Sequence, residues 1–198
     1  KTWLQIDERS GGFFALGLAQ KKHQPVLLIC TSGSAVTNWF PAVVEAAHSY
    51  TPLILLSADR PQELQNCGAN QTIQQNYLFT SYVRDFIALK HADKALLNGH
   101  YLQQISSRAY NNSLHTKPGP VHVNIPFREP LLPQCKTAKS LNNTIQQLTQ
   151  QILTDNTTID SSQPLTNTAV NKKNLKAIIK IINSGNGLII CGRLNQQE

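Results

Sequence analysis

Residues 25–35 read PVLLICTSGSA, and residues 52–61 read PLILLSADRP. Each is an unbroken apolar run that ends in a short polar segment. Such runs mark strands buried on both faces, as in a parallel sheet covered by helices. Between them, Val36, Phe40, Val43, Val44 and Ala47 recur at helical spacing. Pro41 falls near the start of that stripe, where a helix tolerates it, or marks a break. Strand, helix and parallel strand in succession imply a right-handed crossover.

The same alternation continues on both sides. Upstream, residues 3–6 read as a short strand that ends in Asp7-Glu8-Arg9. Phe13, Phe14, Leu16, Gly17 and Leu18 then follow at helical spacing. Downstream, residues 57–76 form a polar stretch too long for a mere connector, and loops of that length are often functional. Residues 83–89 read as a strand and residues 93–114 as a long helix with Leu102, Ile105 and Ala109 on one side. Residues 117–120 make a turn before a strand over 121–125. The expected fold is α/β, a mostly parallel sheet flanked by helices.

Residues 134–170 differ, being rich in Gln, Asn, Thr and Ser. They read as a linker, with one amphipathic helix carried by Leu141, Ile145, Leu148 and Ile152. From residue 171 the α/β pattern resumes: a helix with Leu175, Ile178, Ile179 and Ile182, a turn, and a strand over 188–191. The expected organisation is one α/β domain over 1–133, a linker over 134–170 and the start of a second α/β domain over 171–198.

The 198 residues contain no methionine and open on Lys1, as expected of an excised or incomplete chain. Eighteen Lys and Arg against 11 Asp and Glu give a net charge of +7. Residues 1–134 hold only 11 basic and 8 acidic side chains, without the clustered cations and aromatics of a nucleic-acid groove. No run approaches the roughly 20 apolar residues of a membrane span. Cys30, Cys67, Cys135 and Cys191 are far apart, which argues against zinc and disulfides and fits a reducing cytoplasm.

Three polar clusters each follow an expected strand. Glu8, in Asp7-Glu8-Arg9, is placed to share a proton with a ligand nitrogen, or else pairs with Arg9. In Thr31-Ser32-Gly33-Ser34-Ala35, Gly33 allows close backbone approach, and helix N-terminal N–H groups favour anionic or polar ligands, or else the segment is an ordinary strand-to-helix turn. Arg60 has a planar fork suited to a carboxylate, or else pairs with Asp59 or Glu63; Asn70 and Gln71 offer donors and acceptors. Ligands gather at the carboxyl ends of strands in open parallel sheets, so these clusters should converge there. The six histidines sit in no recognisable nucleophile triad. Cys67, beside Gly68, reads as a packed small side chain and not as a nucleophile.

The run Ile6-Asp7-Glu8-Arg9-Ser10-Gly11-Gly12-Phe13-Phe14-Ala15-Leu16-Gly17-Leu18-Ala19 resembles the pyrimidine-binding domain of thiamine-diphosphate enzymes. Together with TSGSAVTNWFPAVVEA (31–46), LLSADRPQEL (55–64), CGANQTIQQ (67–75) and GPVHVNIPFREPL (119–131), it is similar to the SEPHCHC synthase family of menaquinone biosynthesis. The Glu-then-TSG pair is shared by many thiamine-diphosphate enzymes. The ADRP, GANQ and NIPFREPL segments are what narrow the resemblance. Ser34 stands where Thr is common, and Trp39 where Tyr or Leu is common.

The resemblance implies a transferase that decarboxylates 2-oxoglutarate and adds the succinyl unit to isochorismate in a 1,4 sense. It implies that Glu8 is catalytic and hydrogen-bonds N1′ of the aminopyrimidine of thiamine diphosphate. Ser32 and Gly33 would lie beside that ring, and Arg60, Asn70 and Gln71 at the substrate end. The cofactors would be thiamine diphosphate and Mg²⁺ (or Mn²⁺). The metal would be bound by a C-terminal domain, since no GDG…N motif occurs in these 198 residues. The family layout implies a cytoplasmic homo-oligomer, dimer or tetramer, with its active site between subunits and no metal ligand in this part of the chain. The present fragment alone would then be inactive. Two other readings stay open: another thiamine-diphosphate decarboxylase or carboligase, and a non-catalytic α/β binding module.

Overall fold

The computed structural model describes residues 1–90, 99–114, 117–131, 142–143, 145–147, 149–150 and 172–184. Four parallel strands form one sheet in the order β1-β2-β4-β3: β1 (Val26–Cys30), β2 (Leu53–Asp59), β4 (Pro120–Pro126) and β3 (Asp85–Ala88). Helices α1 (Glu8–Lys22), α2 (Ser34–Thr37), α3 (Phe40–His48) and α4 (Gly99–Leu114) accompany it. The expected α/β class and parallel pairing are both observed.

The side-chain period of a strand sorts residues between two cores. Leu53 and Leu55 pack with Ala15, Leu16, Ala19, Val36, Trp39, Val43 and Phe79 on the face covered by α1 and α3. Ile54 and Leu56 join Val121, Val123, Ile87, Ala109 and Ile105 on the face covered by α4. β2 and β4 are central, and their full pairing runs from Leu53↔Pro120 to Asp59↔Pro126.

Several elements differ from the sequence expectation. Residues 1–5 have no regular structure, so no strand precedes Glu8; Asp7 instead caps α1, its carboxylate accepting from the Ser10 backbone N–H at 2.8 Å. The buried face of α1 is Gly11, Gly12, Ala15, Leu16 and Ala19, while Phe13 and Phe14 are exposed. Close approach to α3 is the reason. A Cβ on Gly12 would lie 3.0 Å from the Ala42 Cβ, so α1 meets α3 through its small residues.

The single stripe expected over 36–47 is two helices, broken at Asn38 and Trp39, with Pro41 in the first turn of α3. β1 is not buried on both faces. It is an edge strand, and Leu27 and Ile29 are 52% and 68% exposed on the α4 side of the sheet. α4 lies against β2, β3 and β4 and leaves that end of the face open among the described residues. β2 runs on to Asp59, shortening the expected loop. Residues 93–98 of the expected long helix, and the strand over 188–191, lie outside the described residues.

The chain divides into two compact units, Lys1–Ser162 and Gln163–Glu198. The second unit contains helix α5 (Lys172–Ile182), whose Leu175, Ile178, Ile179 and Ile182 are exposed. Among the described residues, no helix is long and apolar enough to cross a membrane.

At the amino end of the sheet, Arg84 ties three segments together. Its guanidinium donates to the carbonyls of Ala47 (2.7 Å), Lys117 (2.8 Å) and Pro118 (3.0 Å). Gly119 leaves room for this arrangement, because a Cβ there would lie 2.5 Å from the Arg84 Nε and displace the guanidinium. Charge-assisted bonds are the stronger kind, and their loss strands carbonyls that are partly buried. Arg84→Ala is therefore expected to lower the unfolding free energy by about 2–4 kcal/mol. Urea denaturation measures this, and an unchanged midpoint would refute the clamp.

Candidate functional site

The carboxyl ends of β1, β2 and β4 carry a buried polar cluster on the α1/α3 face of the sheet. Ser57 and Asp59 alternate on β2, His122 and Asn124 on β4, and all four are at most 8% exposed. Gln75, fully buried, enters from the polar stretch that follows β2. Such groups are stable inside only when each donor meets an acceptor.

The donor directions can be worked out. The Gln75 Nε2 donates to the Ala58 carbonyl at 2.9 Å, and its Oε1 accepts from the Gly33 N–H at 2.8 Å. These two backbone groups fix the orientation of the amide. Nε2 also donates to the Asn124 Oδ1 at 2.9 Å, and the Asn124 Nδ2 donates to the Asp59 Oδ2 at 2.7 Å. The Ser57 hydroxyl lies 2.7 Å from the Asn124 Oδ1, which only accepts, so the hydroxyl proton is spent there. The Ser57 Oγ must then accept from the His122 Nε2, 2.8 Å away.

His122 is thus a neutral ring protonated on Nε2, with a buried Nδ1 that has no partner among the described residues. Burial pushes its pKa down to about 4. The sequence reading missed this Ser–His contact, but it is not a nucleophile pair. Both residues are fully buried, and the nitrogen facing the hydroxyl already holds a proton.

Above this cluster sits the Thr31–Gly33 turn. Ser32 and Gly33 are buried, and Gly33 has φ 81. A side chain there would be strained, and its Cβ would lie 2.9 Å from the Gln71 Cγ. The Gln71 Nε2 donates to the Thr31 Oγ1 and to the Ser32 carbonyl, both at 3.0 Å, and the Ser32 hydroxyl donates to the Gln71 carbonyl at 3.1 Å. The Ser32–Gly33 peptide is therefore held at both ends by glutamines: the carbonyl by Gln71, the N–H by Gln75. The Gly33 N–H is directed inward. It faces Gln75, and the helix that follows, α2, has only four residues.

Arg60 follows Asp59 but pairs with neither expected carboxylate. The Asp59 Oδ1 accepts from the Arg60 backbone N–H at 2.7 Å, and Glu63 is engaged by Arg128 through Nε and Nη2. The Arg60 Nε is buried without a hydrogen-bond partner among the described residues. Asn70 is exposed, and its side chain makes no hydrogen bond among the described residues.

Glu8 opens α1 and is half-buried, with no hydrogen bond to its carboxylate among the described residues and no pairing with Arg9. Its charge reaches the end of β1. The Cys30 thiol is pushed up to about 12, first by burial and then by the Glu8 carboxylate. That keeps Cys30 protonated and unreactive. Cys67 is exposed and not packed, its thiol directed to the Leu64 carbonyl at 3.3 Å.

The Glu8 carboxylate at the start of α1 thus stands near the end of β1, where the Gly33 turn begins, and the Arg60 Nε follows the end of the adjacent β2. Residues 1–80 match the family model described as "Thiamine pyrophosphate enzyme, N-terminal TPP binding domain". The match takes in α1, β1, α2, α3 and β2. Among curated proteins, the 2-succinyl-5-enolpyruvyl-6-hydroxy-3-cyclohexene-1-carboxylate synthase of Dechloromonas aromatica is 53% identical over 130 residues, covering 66% of this chain and 24% of its own. The synthase of the same name from Listeria innocua is 52% identical over 135 residues, covering 67% of this chain and 23% of its own. That of Bacillus pumilus is 40% identical over 194 residues, covering 98% of this chain and 31% of its own. The chain is homologous to these synthases, and it spans about a quarter to a third of their length. The matched residues 1–80 lie within the α/β unit described above. Its buried ladder was visible in the sequence only as polar residues at every second position, Ser57 with Asp59 and His122 with Asn124.

The pKa of His122 sets a pH dependence of stability. An unfolded histidine titrates near 6.5 and the folded one near 4, so between these values the unfolded state binds more protons. Stability is therefore full above pH 6.5 and declines as pH falls toward 4, by about 3 kcal/mol in all. Denaturant unfolding across that range is expected to show the decline. His122→Gln, which keeps an N–H donor, is expected to flatten it, and an equally steep decline in that variant would assign the effect to other groups.

Proposed function

We propose that the complete protein is a thiamine-diphosphate-dependent 2-succinyl-5-enolpyruvyl-6-hydroxy-3-cyclohexene-1-carboxylate synthase. It decarboxylates 2-oxoglutarate and transfers the succinyl unit to isochorismate by 1,4-addition, in menaquinone biosynthesis. Residues 1–133 are its pyrimidine domain, 134–170 a linker and 171–198 the opening of a second α/β domain. The observation that carries the reading is the partner-free Glu8 carboxylate at the same sheet end as Arg60 and the Ser32–Gly33 turn.

The residues present fit the group. An aminopyrimidine needs a carboxylate for its ring nitrogen, and Glu8 offers one that no donor occupies among the described residues. It needs firm backbone beside it, and the Ser32–Gly33 turn is packed so closely on Gln71 that no side chain fits at Gly33. Bound thiamine diphosphate supplies the electron sink for decarboxylating a 2-oxo acid. Glu8 holds a proton against N1′, while Ser32 and Gly33 support the ring. Arg60 turns its fork to a substrate carboxylate, which both substrates carry. Asn70 and the remaining Gln71 Oε1 complete the polar rim, since the Gln71 Nε2 is committed to the turn. Mg²⁺ (or Mn²⁺) and the diphosphate are held by a domain of a partner subunit, so the active site lies between subunits of a cytoplasmic homo-oligomer.

In the complete enzyme, Glu8→Gln is expected to lower kcat by about 10²–10⁴-fold, the usual value of a positioned proton-transfer group. Thermal stability should be unchanged. Arg60→Ala is expected to raise KM for the oxo acid about tenfold or more, through loss of a charge-assisted pair. The assay follows product formed from 2-oxoglutarate and isochorismate. Full activity in Glu8→Gln would remove its assigned role, and turnover of pyruvate without dependence on isochorismate would point to another carboligase.

A further inference from the structure

We propose that Gln75 is a positioning residue for the cofactor, acting through the Thr31–Gly33 turn; this rests on the thiamine-diphosphate reading above. Gln75 touches three structures at once. Its Oε1 holds the Gly33 N–H at 2.8 Å, and its Nε2 holds the Ala58 carbonyl on β2 and the Asn124 Oδ1 on β4, both at 2.9 Å. Nothing else among the described hydrogen bonds joins the Gly33 N–H to the sheet. The turn that supports the pyrimidine is thereby pinned to the two central strands.

The polarity of this clamp is dictated from below. Asp59 is 8% exposed and its carboxylate only accepts, so Asn124 must point its Nδ2 at it. That leaves the Asn124 Oδ1 facing Gln75, which must answer with an N–H and therefore turn its carbonyl to Gly33. The Gly33 N–H is drawn inward, and the Ser32 carbonyl on the same planar peptide is turned to the Gln71 Nε2. A residue of the same shape and opposite polarity cannot do this. Gln75→Glu keeps the acceptor for Gly33 but sets a carboxylate against two acceptor oxygens.

The test uses the complete enzyme, with Gln75→Glu, with Gln75→Asn (which keeps the amide but is one methylene too short to span the gap), and with Arg84→Ala as a control. Arg84 lies at the amino end of the sheet and lowers stability without touching the turn. The first readout is hydrogen exchange of the peptide covering 31–38 in the cofactor-free protein. The second is the dissociation constant of thiamine diphosphate by calorimetry. Both Gln75 variants are expected to speed exchange about tenfold or more and to weaken cofactor binding by about tenfold, the scale of one or two buried hydrogen bonds. Arg84→Ala is expected to lower Tm and leave both readouts within about threefold of wild type.

Wild-type exchange and cofactor affinity in either Gln75 variant overturn the positioning role, as does an equal response in Arg84→Ala. If Gln75→Glu does not fold, Gln75→Asn decides alone on the same two readouts. Failure of the wild-type enzyme to bind thiamine diphosphate overturns the functional reading instead, while faster exchange in the Gln75 variants still supports the clamp.

Discussion

The Asp59 carboxylate sits at the end of a central strand with almost no contact with water, and its neighbours are ordered by the need to satisfy it. One oxygen takes the Arg60 backbone N–H and the Gln65 amide; the other takes Asn124. Burying an ionised carboxylate is costly unless it is hydrogen-bonded. Once Asn124 is turned toward Asp59, the directions of Gln75, Ser57 and His122 follow, because each group has only one role left. The Nε2–H tautomer of His122 and the inward-facing Gly33 N–H both follow from that single group.

The same arrangement explains why Arg60 stays available. Asp59 is saturated by amides and a backbone N–H, and Glu63 is taken by a bidentate Arg128. The guanidinium next to both carboxylates is paired with neither. A cation whose Nε is buried without a partner is suited to an incoming anion. The site therefore separates structural charge, used below the turn, from charge held in reserve above it.

The sheet is asymmetric in how it is covered. On one face α1 lies close to α3 because Gly12 meets Ala42, and the resulting core is dense around Trp39 and Phe79. On the other, α4 covers β2, β3 and β4, and Leu27 and Ile29 of β1 are left facing outward. Parallel strands normally have both faces covered, so the apolar run of β1 keeps the signature of a buried strand even where the described residues leave it open.

Much of this was legible in the residues. The runs over 26–30 and 53–56 were readable as strands because a continuous apolar stretch between turn residues has few other stable uses, and 121–125 because Val and Ile alternate with polar residues just after a Pro-Gly-Pro turn. Glu8, Ser32, Gly33, Arg60, Asn70 and Gln71 could be picked out because each follows or adjoins such a run. What could not be read was which polar groups face each other. Gln75 lies 42 positions from Gly33 and 49 from Asn124. The α1 face was misread because hydrophobic spacing favours Phe13 and Phe14, whereas close helix packing favours Gly12 and Ala15. The sequence by itself determined the parallel α/β order and the chemical groups available at the strand ends, because burial periodicity is local. Only the tertiary structure decided how those groups are oriented and which remain unpaired, because hydrogen-bond direction depends on partners that are distant in the chain.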